Sequence, residues 1–219
     1  MRTKTLLLTV ALAAAGIATS KAQTVYSVNS VGFVTITNKP GYNLICNPLN
    51  NATNSLGNLF RGSAENTIIY RYQGGTFNAF VYGLDDDSNL NFGPNENDIL
   101  APGEGVFLFN PSTAFATTFV GDVLQGPQTN AIHSGFNLVG SLIPQSGQLD
   151  TALGYNPLEN DIIYRYVNGP GYSGNISVWG RDDNNVLGWD LAPVIGVAEG
   201  FFISTSAQNN WGRVFSVNN

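Results

Sequence analysis

Three features of this 219-residue sequence predict an all-β fold of two homologous β-sandwich-like units, each with about six short strands and little helix. The first is an internal repeat. Gly41-Tyr42-Asn43-Leu44-Ile45 returns 94 positions later as Gly135-Phe136-Asn137-Leu138-Val139, and Ile68-Ile69-Tyr70-Arg71-Tyr72 returns as Ile162-Ile163-Tyr164-Arg165-Tyr166. At an offset of 95, Gly103-Glu104-Gly105-Val106-Phe107 returns as Ala198-Glu199-Gly200-Phe201-Phe202. Three blocks kept in one order mark a repeated structural unit. The second feature is short runs of β-branched and aromatic residues with period-two alternation, and the third is the turn chemistry that separates them at roughly 8–12 residue intervals.

Taken in order, residues 25–37 read as two short strands broken at Asn29-Ser30 and Gly32. Asn38-Lys39-Pro40-Gly41 is a turn, and residues 42–46 form a strand that stops at Asn47-Pro48. Leu56, Leu59 and Phe60 fall at near-helical spacing behind Asn54 and Ser55, which suits a short capped helix or turn. Residues 67–72 and 76–82 are joined by Gly74-Gly75 as a hairpin. After the acidic loop at 85–89, Ala101-Pro102-Gly103-Glu104-Gly105 turns the chain into an apolar strand at 106–109, and a strand at 117–123 closes the unit. Residues 125–134 read as a linker carrying the sole histidine, His133. The second unit repeats this order with strands at 136–143, 161–167, 172–179, 200–204 and 213–217, and a short helical or turn segment at 148–155. Val197-Ala198 replaces Pro102-Gly103, which leaves the conformation of that turn open.

Export is expected from the first 22 residues. A basic start, an apolar run over residues 6–18 and Ser20-Lys21-Ala22 before Gln23 make a secretory signal peptide, too short to span a bilayer. The expected organisation is residues 1–22 as signal, 23–124 as the first β-repeat and 125–219 as the second. Cleavage removes three of the nine basic side chains and none of the fifteen acidic ones, so the formal charge moves from -6 to -9. Lys39 is the lone remaining lysine, a surface that cannot neutralise a nucleic-acid backbone or an anionic bilayer, and no later apolar run is long enough for the mature chain to insert into a membrane. Cys46 is the single cysteine, which excludes an intramolecular disulfide and a multi-cysteine zinc site. Sharing a strand face with Leu44, it is expected to be a buried, inert thiol.

Few motifs carry chemistry. Asp85, Asp87, Asn89 and Asn91 alternate as oxygen donors and Glu96 falls eleven places after Asp85, the spacing of an EF-hand calcium loop. Leu90 stands where that loop needs Gly, and no helices flank it. These five residues are the candidate calcium ligands; a solvated anionic turn is the reading set against them. The second copy keeps Asp182 and Asp183 but has Asn184, Val186 and Gly188 where donors alternate in the first. Arg71 and Arg165 occupy matched strand positions, and Glu104 and Glu199 matched turns, so structural ion pairs Arg71–Glu104 and Arg165–Glu199 are expected, against the alternative of independent surface charges. His133 lacks a partner set for a triad or metal cluster, and no pair of carboxylates is singled out for glycoside hydrolysis. Tyr70, Tyr72, Tyr82, Phe92, Tyr164, Tyr166, Trp179, Trp189 and Trp211 could stack on sugar rings, although alternate strand positions suit core or cross-strand packing.

The blocks Gly-aromatic-Asn-Leu, Tyr-x-Tyr and Pro-Gly-Glu-Gly-Val-Phe together resemble the duplicated β-modules of exported, uncharacterised proteins of environmental Gram-negative bacteria. That resemblance covers nearly all of the mature chain. It implies a surface, matrix or adhesive β-protein and carries over no catalytic residue. The expected function is a non-catalytic structural, adhesive or ligand-binding role in the extracellular space, at the cell surface or in the periplasm, with no cofactor besides the candidate calcium. Expected partners are a second copy, other surface proteins or polysaccharide. The alternative is a carbohydrate-binding module using exposed aromatics, and a minor one a hydrolase. Tyr26-Ser27-Val28-Asn29 also matches Phe215-Ser216-Val217-Asn218, so the leading strand either folds back within its own chain, the favoured case, or adds to a neighbour's edge and builds a filament.

Overall fold

A computed structural model describes residues 30–217, so the signal segment, the cleavage signature and residues 23–29 lie outside the described residues. The first half contains β1 (Ser30–Asn38), β2 (Gly41–Cys46), α1 (Leu56–Leu59), β3 (Thr67–Gln73), β4 (Thr76–Leu84), β5 (Leu90–Asn91), β6 (Gly105–Asn110) and β7 (Phe115–Val123). The second contains β8 (Gly126–Ile132), β9 (Gly135–Gly140), β10 (Gly147–Gln148), β11 (Ile162–Arg165), β12 (Ile176–Arg181), β13 (Leu187–Trp189), β14 (Val194–Ile195), β15 (Gly200–Thr205) and β16 (Asn209–Phe215). Apart from the single turn of α1, capped by Ser55 Oγ accepting from the Asn58 N–H, and one short 3-10 turn, regular structure is strand. The all-β class holds.

Each half has two layers. Five-stranded sheets run in the orders β2-β6-β3-β4-β5 and β9-β15-β11-β12-β13, and two-stranded ribbons pair β1 with β7 and β8 with β16. Alternation along the strands buries one face of each sheet against its ribbon. Ile45, Ile69, Val106 and Leu108 pack with Phe119 of β7, with Val34 and Ile36 of β1 beside them. In the second half Val139, Ile163, Phe201 and Ile203 pack with Ile132 and Trp211.

The repeated Gly-aromatic-Asn block has a structural reason. Gly41 and Gly135 adopt φ of 87° and 93°, a left-handed conformation natural to glycine. Asn43 accepts from the Lys39 N–H and donates to the Lys39 and Gly41 carbonyls; Asn137 makes the same three bonds with His133 and Gly135. Each asparagine staples the ribbon to the sheet.

The halves join edge to edge through a reciprocal pair of contacts. The Cys46 N–H donates to Ala198 O and the Gly140 N–H to Gly103 O, both at 2.9 Å. Gly103 and Ala198 both have positive φ, 79° and 57°, so the two turns take one conformation despite the Pro-Gly to Val-Ala change. Leu44, Leu138 and Phe202 fill the seam beneath them.

Two expectations about strands need correction. Gly32 does not break β1, which pairs with β7 over its whole length within the same chain. Its missing side chain admits Val123 and Leu49, whose atoms would lie 3.1 and 3.4 Å from a Cβ there. Residues 126–132 are not a linker but strand β8, paired with β16; the segment is polar because alternate side chains face solvent.

Candidate functional site

The other face of each five-stranded sheet is aromatic. Register places Tyr42 beside Phe109 and Tyr70 beside Phe107, Tyr72 beside Phe77, and Phe202 beside Tyr164. Among the described residues no further layer packs over these rings. Tyr42 is 43%, Phe77 48% and Phe136 53% exposed. Because the sheets meet at their edges, the two faces merge into one concave surface. Tyr72 of the first half meets Phe202 of the second edge-on at 5.3 Å, and Tyr166 of the second meets Phe107 of the first in the same way, also at 5.3 Å.

A cleft of about 440 Å³ opens along this seam, lined by Tyr42, Tyr70, Phe77, Phe107, Tyr166, Tyr172 and Phe202. All seven are aromatic, and their only polar groups are tyrosine hydroxyls. Burial pushes the hydroxyls of Tyr70 and Tyr172 up from their ordinary pKa. Neighbouring rings are tilted or edge-on, from 40° for Phe136 with Tyr164 to 90° for Tyr164 with Tyr172. They make a corrugated surface, not a flat shelf.

The structure disperses the aromatics singled out from sequence. Tyr82, Phe92 and Trp211 are core, Trp179 and Trp189 form a cross-strand pair at 5.1 Å, and Tyr70, Tyr72, Tyr164 and Tyr166 lie on the open face. Tyr42, Phe77, Phe107, Phe136, Tyr172 and Phe202 are not among those singled out from sequence. Their signal is clearest in β6 and β15, where Phe107 and Phe109 alternate with Val106 and Leu108 and Phe202 lies between Phe201 and Ile203, whereas an antiparallel sheet covered on one side should be polar on the other.

Arg71 donates from Nε and Nη2 to the two carboxylate oxygens of Glu104 at 2.8 and 3.0 Å, and Arg165 does the same with Glu199 at 2.6 and 3.0 Å. Both pairs tie the central strand to the turn before β6 or β15. Cys46 is fully buried against Gly140, and its thiol is pushed up to about 12 by burial first and the nearby Glu199 charge second. This thiol is inert.

The acidic loop is a hydrogen-bonded turn. Asp85 Oδ1 accepts from the N–H groups of Asp87 and Asn89 and Oδ2 from the Asn91 amide; these bonds, the Asn89 N–H foremost, hold its carboxyl below the usual range. Glu96 turns instead to the Phe92 N–H and fills the space over Gly57. Asp182 repeats the Asp85 role, accepting from the Asn184 and Val186 N–H groups. The backbone needs of a tight hairpin thus account for the aspartate in both copies. Among the described residues no group of three or more His, Cys, Asp or Glu side chains converges as a metal cluster would, and no helix is long and apolar enough to cross a membrane.

Compared with known proteins, the chain matches no protein family, no curated protein and no solved structure.

Proposed function

We propose that this chain is an exported, non-catalytic surface-interaction protein that adheres to an apolar partner surface through its aromatic face. One observation carries the proposal: a continuous array of aromatic rings spans both halves, and no protein layer covers it among the described residues. Soluble proteins rarely leave a large contiguous apolar patch exposed unless it is an interaction site, and aromatic residues are enriched at interface cores. The duplicated architecture serves that end, since neither sheet alone would build the cleft that Phe107 and Phe202 share. Tilted rings and a cleft without amide or charged groups favour a protein surface over polysaccharide, which asks for flat rings flanked by hydrogen-bonding side chains.

The test is retention of the purified mature protein on cell-envelope fragments, comparing wild type with Phe77→Ser/Phe136→Ser. Both side chains are about half exposed, so the variant should remain folded. Retention of wild type and release of the variant are expected. Equal retention of both would overturn the proposal, and release of wild type by soluble polysaccharide would replace it with sugar recognition.

A further inference from the structure

The pseudo-symmetric join creates two grooves, each where a hairpin of one half overhangs the edge strand of the other. One follows β2 and includes Asn43, Leu44, Tyr166 and Asn168, with a volume of about 270 Å³. Its counterpart follows β9 and includes Asn137, Leu138, Tyr72 and Gln73, with a volume of about 690 Å³. The difference comes from the hairpins. β3 and β4 are joined by Gly74-Gly75 alone, whereas the chain between β11 and β12 runs over residues 166–175.

That longer connection lowers Asn168 into the first groove. Its carboxamide donates to Pro40 O at 2.8 Å and Tyr42 O at 3.0 Å, the two carbonyls flanking Gly41. In the second groove the same backbone recurs at Ser134, Gly135 and Phe136, held by the same asparagine staple. Strand alternation points the Phe136 carbonyl out of the sheet on the edge from which the Gly140 N–H reaches Gly103. Among the described residues no side chain fills the corresponding place. A Cβ on Gly41 would lie 3.7 Å from the Asn168 amide nitrogen, whereas a Cβ on Gly135 would meet nothing within 4 Å. The groove floor is set by the Asn130 amide, which donates to Gly103 O and Gly140 O.

We infer that the groove along β9 is a docking site for a peptide loop of a partner protein, which presents an asparagine or glutamine carboxamide to the carbonyls of Ser134 and Phe136 as Asn168 does in the filled groove. A primary amide carries two N–H donors, the number these two diverging acceptors take. On the same edge the Phe136 N–H lies alongside to hydrogen-bond the loop's backbone, short of Val139, where the edge is bridged to Glu104; main-chain bonding of this kind is the strand-addition mode of peptide recognition. Tyr72 and Phe136 border both the groove and the aromatic face, but the inferred docking uses only backbone groups of Ser134 and Phe136, not the aromatic side chains.

The probe is a blocked heptapeptide copying residues 166–172, Tyr-Val-Asn-Gly-Pro-Gly-Tyr, followed by amide NMR of the full mature chain, alongside a peptide with Leu in place of Asn. Shifts confined to residues 73–75 and 133–138 are expected, with the Asn peptide binding about tenfold more tightly than the Leu peptide, the usual weight of one or two neutral hydrogen bonds. In Asn168→Gly the vacated groove should add a second set of shifts at residues 40–44. Absence of shifts at millimolar peptide, equal affinity for the two peptides, or shifts centred on Tyr42, Tyr70, Phe107 and Tyr166 would each overturn the inference. An unaltered envelope-retention result alongside any of these would leave the proposed adhesive function standing.

Discussion

Gly200→Ala should weaken the join between the halves more than its size suggests. A Cβ at this position would lie 2.6 Å from Ile45 O, 3.0 Å from Ile45 C and 3.2 Å from Ile45 N. All three are backbone atoms, so no side chain can rotate away, and an ordinary contact of 3.5–4.0 Å requires β2 or β15 to move by about 1 Å. Overpacking of this kind costs about 1–3 kcal/mol. The same movement strains the Cys46 N–H bond to Ala198 O, and a buried donor left unpaired adds about 1–3 kcal/mol. Replacing glycine returns about 0.4–1 kcal/mol through the unfolded chain. The net is a loss of about 1–5 kcal/mol by equilibrium chemical denaturation. Gly212→Ala is the control, because the nearest atoms to its Cβ would be at 3.8 Å; it should be neutral or slightly stabilising. Equal midpoints for the two variants would refute the claim that the halves are locked by backbone contact at this glycine.

Further outcomes follow from the same geometry. Arg71→Met should cost about 3 kcal/mol, since its side chain and that of Glu104 are only 13% and 24% exposed, while the double replacement Arg71→Met/Glu104→Leu should recover most of the loss; a double-mutant cycle with no coupling would contradict a paired role. Asp85→Ala should lower the unfolding midpoint equally with and without calcium, because the carboxylate serves the turn's N–H groups; a loss seen only with calcium would point to a bound cation. For Cys46, burial raises the folded thiol pKa to about 12 from 9.0, so its stabilising contribution is complete below pH 9 and falls between pH 9 and 12 by about 1.4 kcal/mol per unit. Denaturation across that window should therefore show wild type losing stability relative to Cys46→Ala; parallel curves would mean that the thiol is accessible to water.

What the sequence reveals of this fold is mostly local. Gly41 and Asn43, with their counterparts Gly135 and Asn137, satisfy the same short turn, so the block that announces the repeat is also the block whose conformation a reader can derive. The matched Arg and Glu positions are legible for a related reason: a charge retained twice in a charge-poor chain suggests a fixed partner. Strand β8 is not legible, because Gly126-Pro127-Gln128-Thr129-Asn130 has turn composition and becomes strand only through its pairing with β16. Gly32 looks like a strand breaker, and nothing local explains the strand glycines Gly140 and Gly200, yet each makes room for a neighbour brought near by tertiary packing. The aromatic face was obscured in the same way. Tyr70 and Tyr72 alternate as core residues would, and only the position of the second layer decides which face it covers.

The central claim is that the aromatic face is where this protein meets its partner, and hydroxyl-radical labelling of the mature protein, free and bound to cell-envelope fragments, tests it residue by residue. Other large exposed apolar side chains lie on the ribbons, Val31, Phe33 and Val214, and provide the internal comparison. The account predicts that binding protects Tyr42, Phe77 and Phe136 while Val31, Phe33 and Val214 label as in the free protein. Protection of Val31, Phe33 and Val214 with unchanged labelling of Tyr42, Phe77 and Phe136 would contradict it.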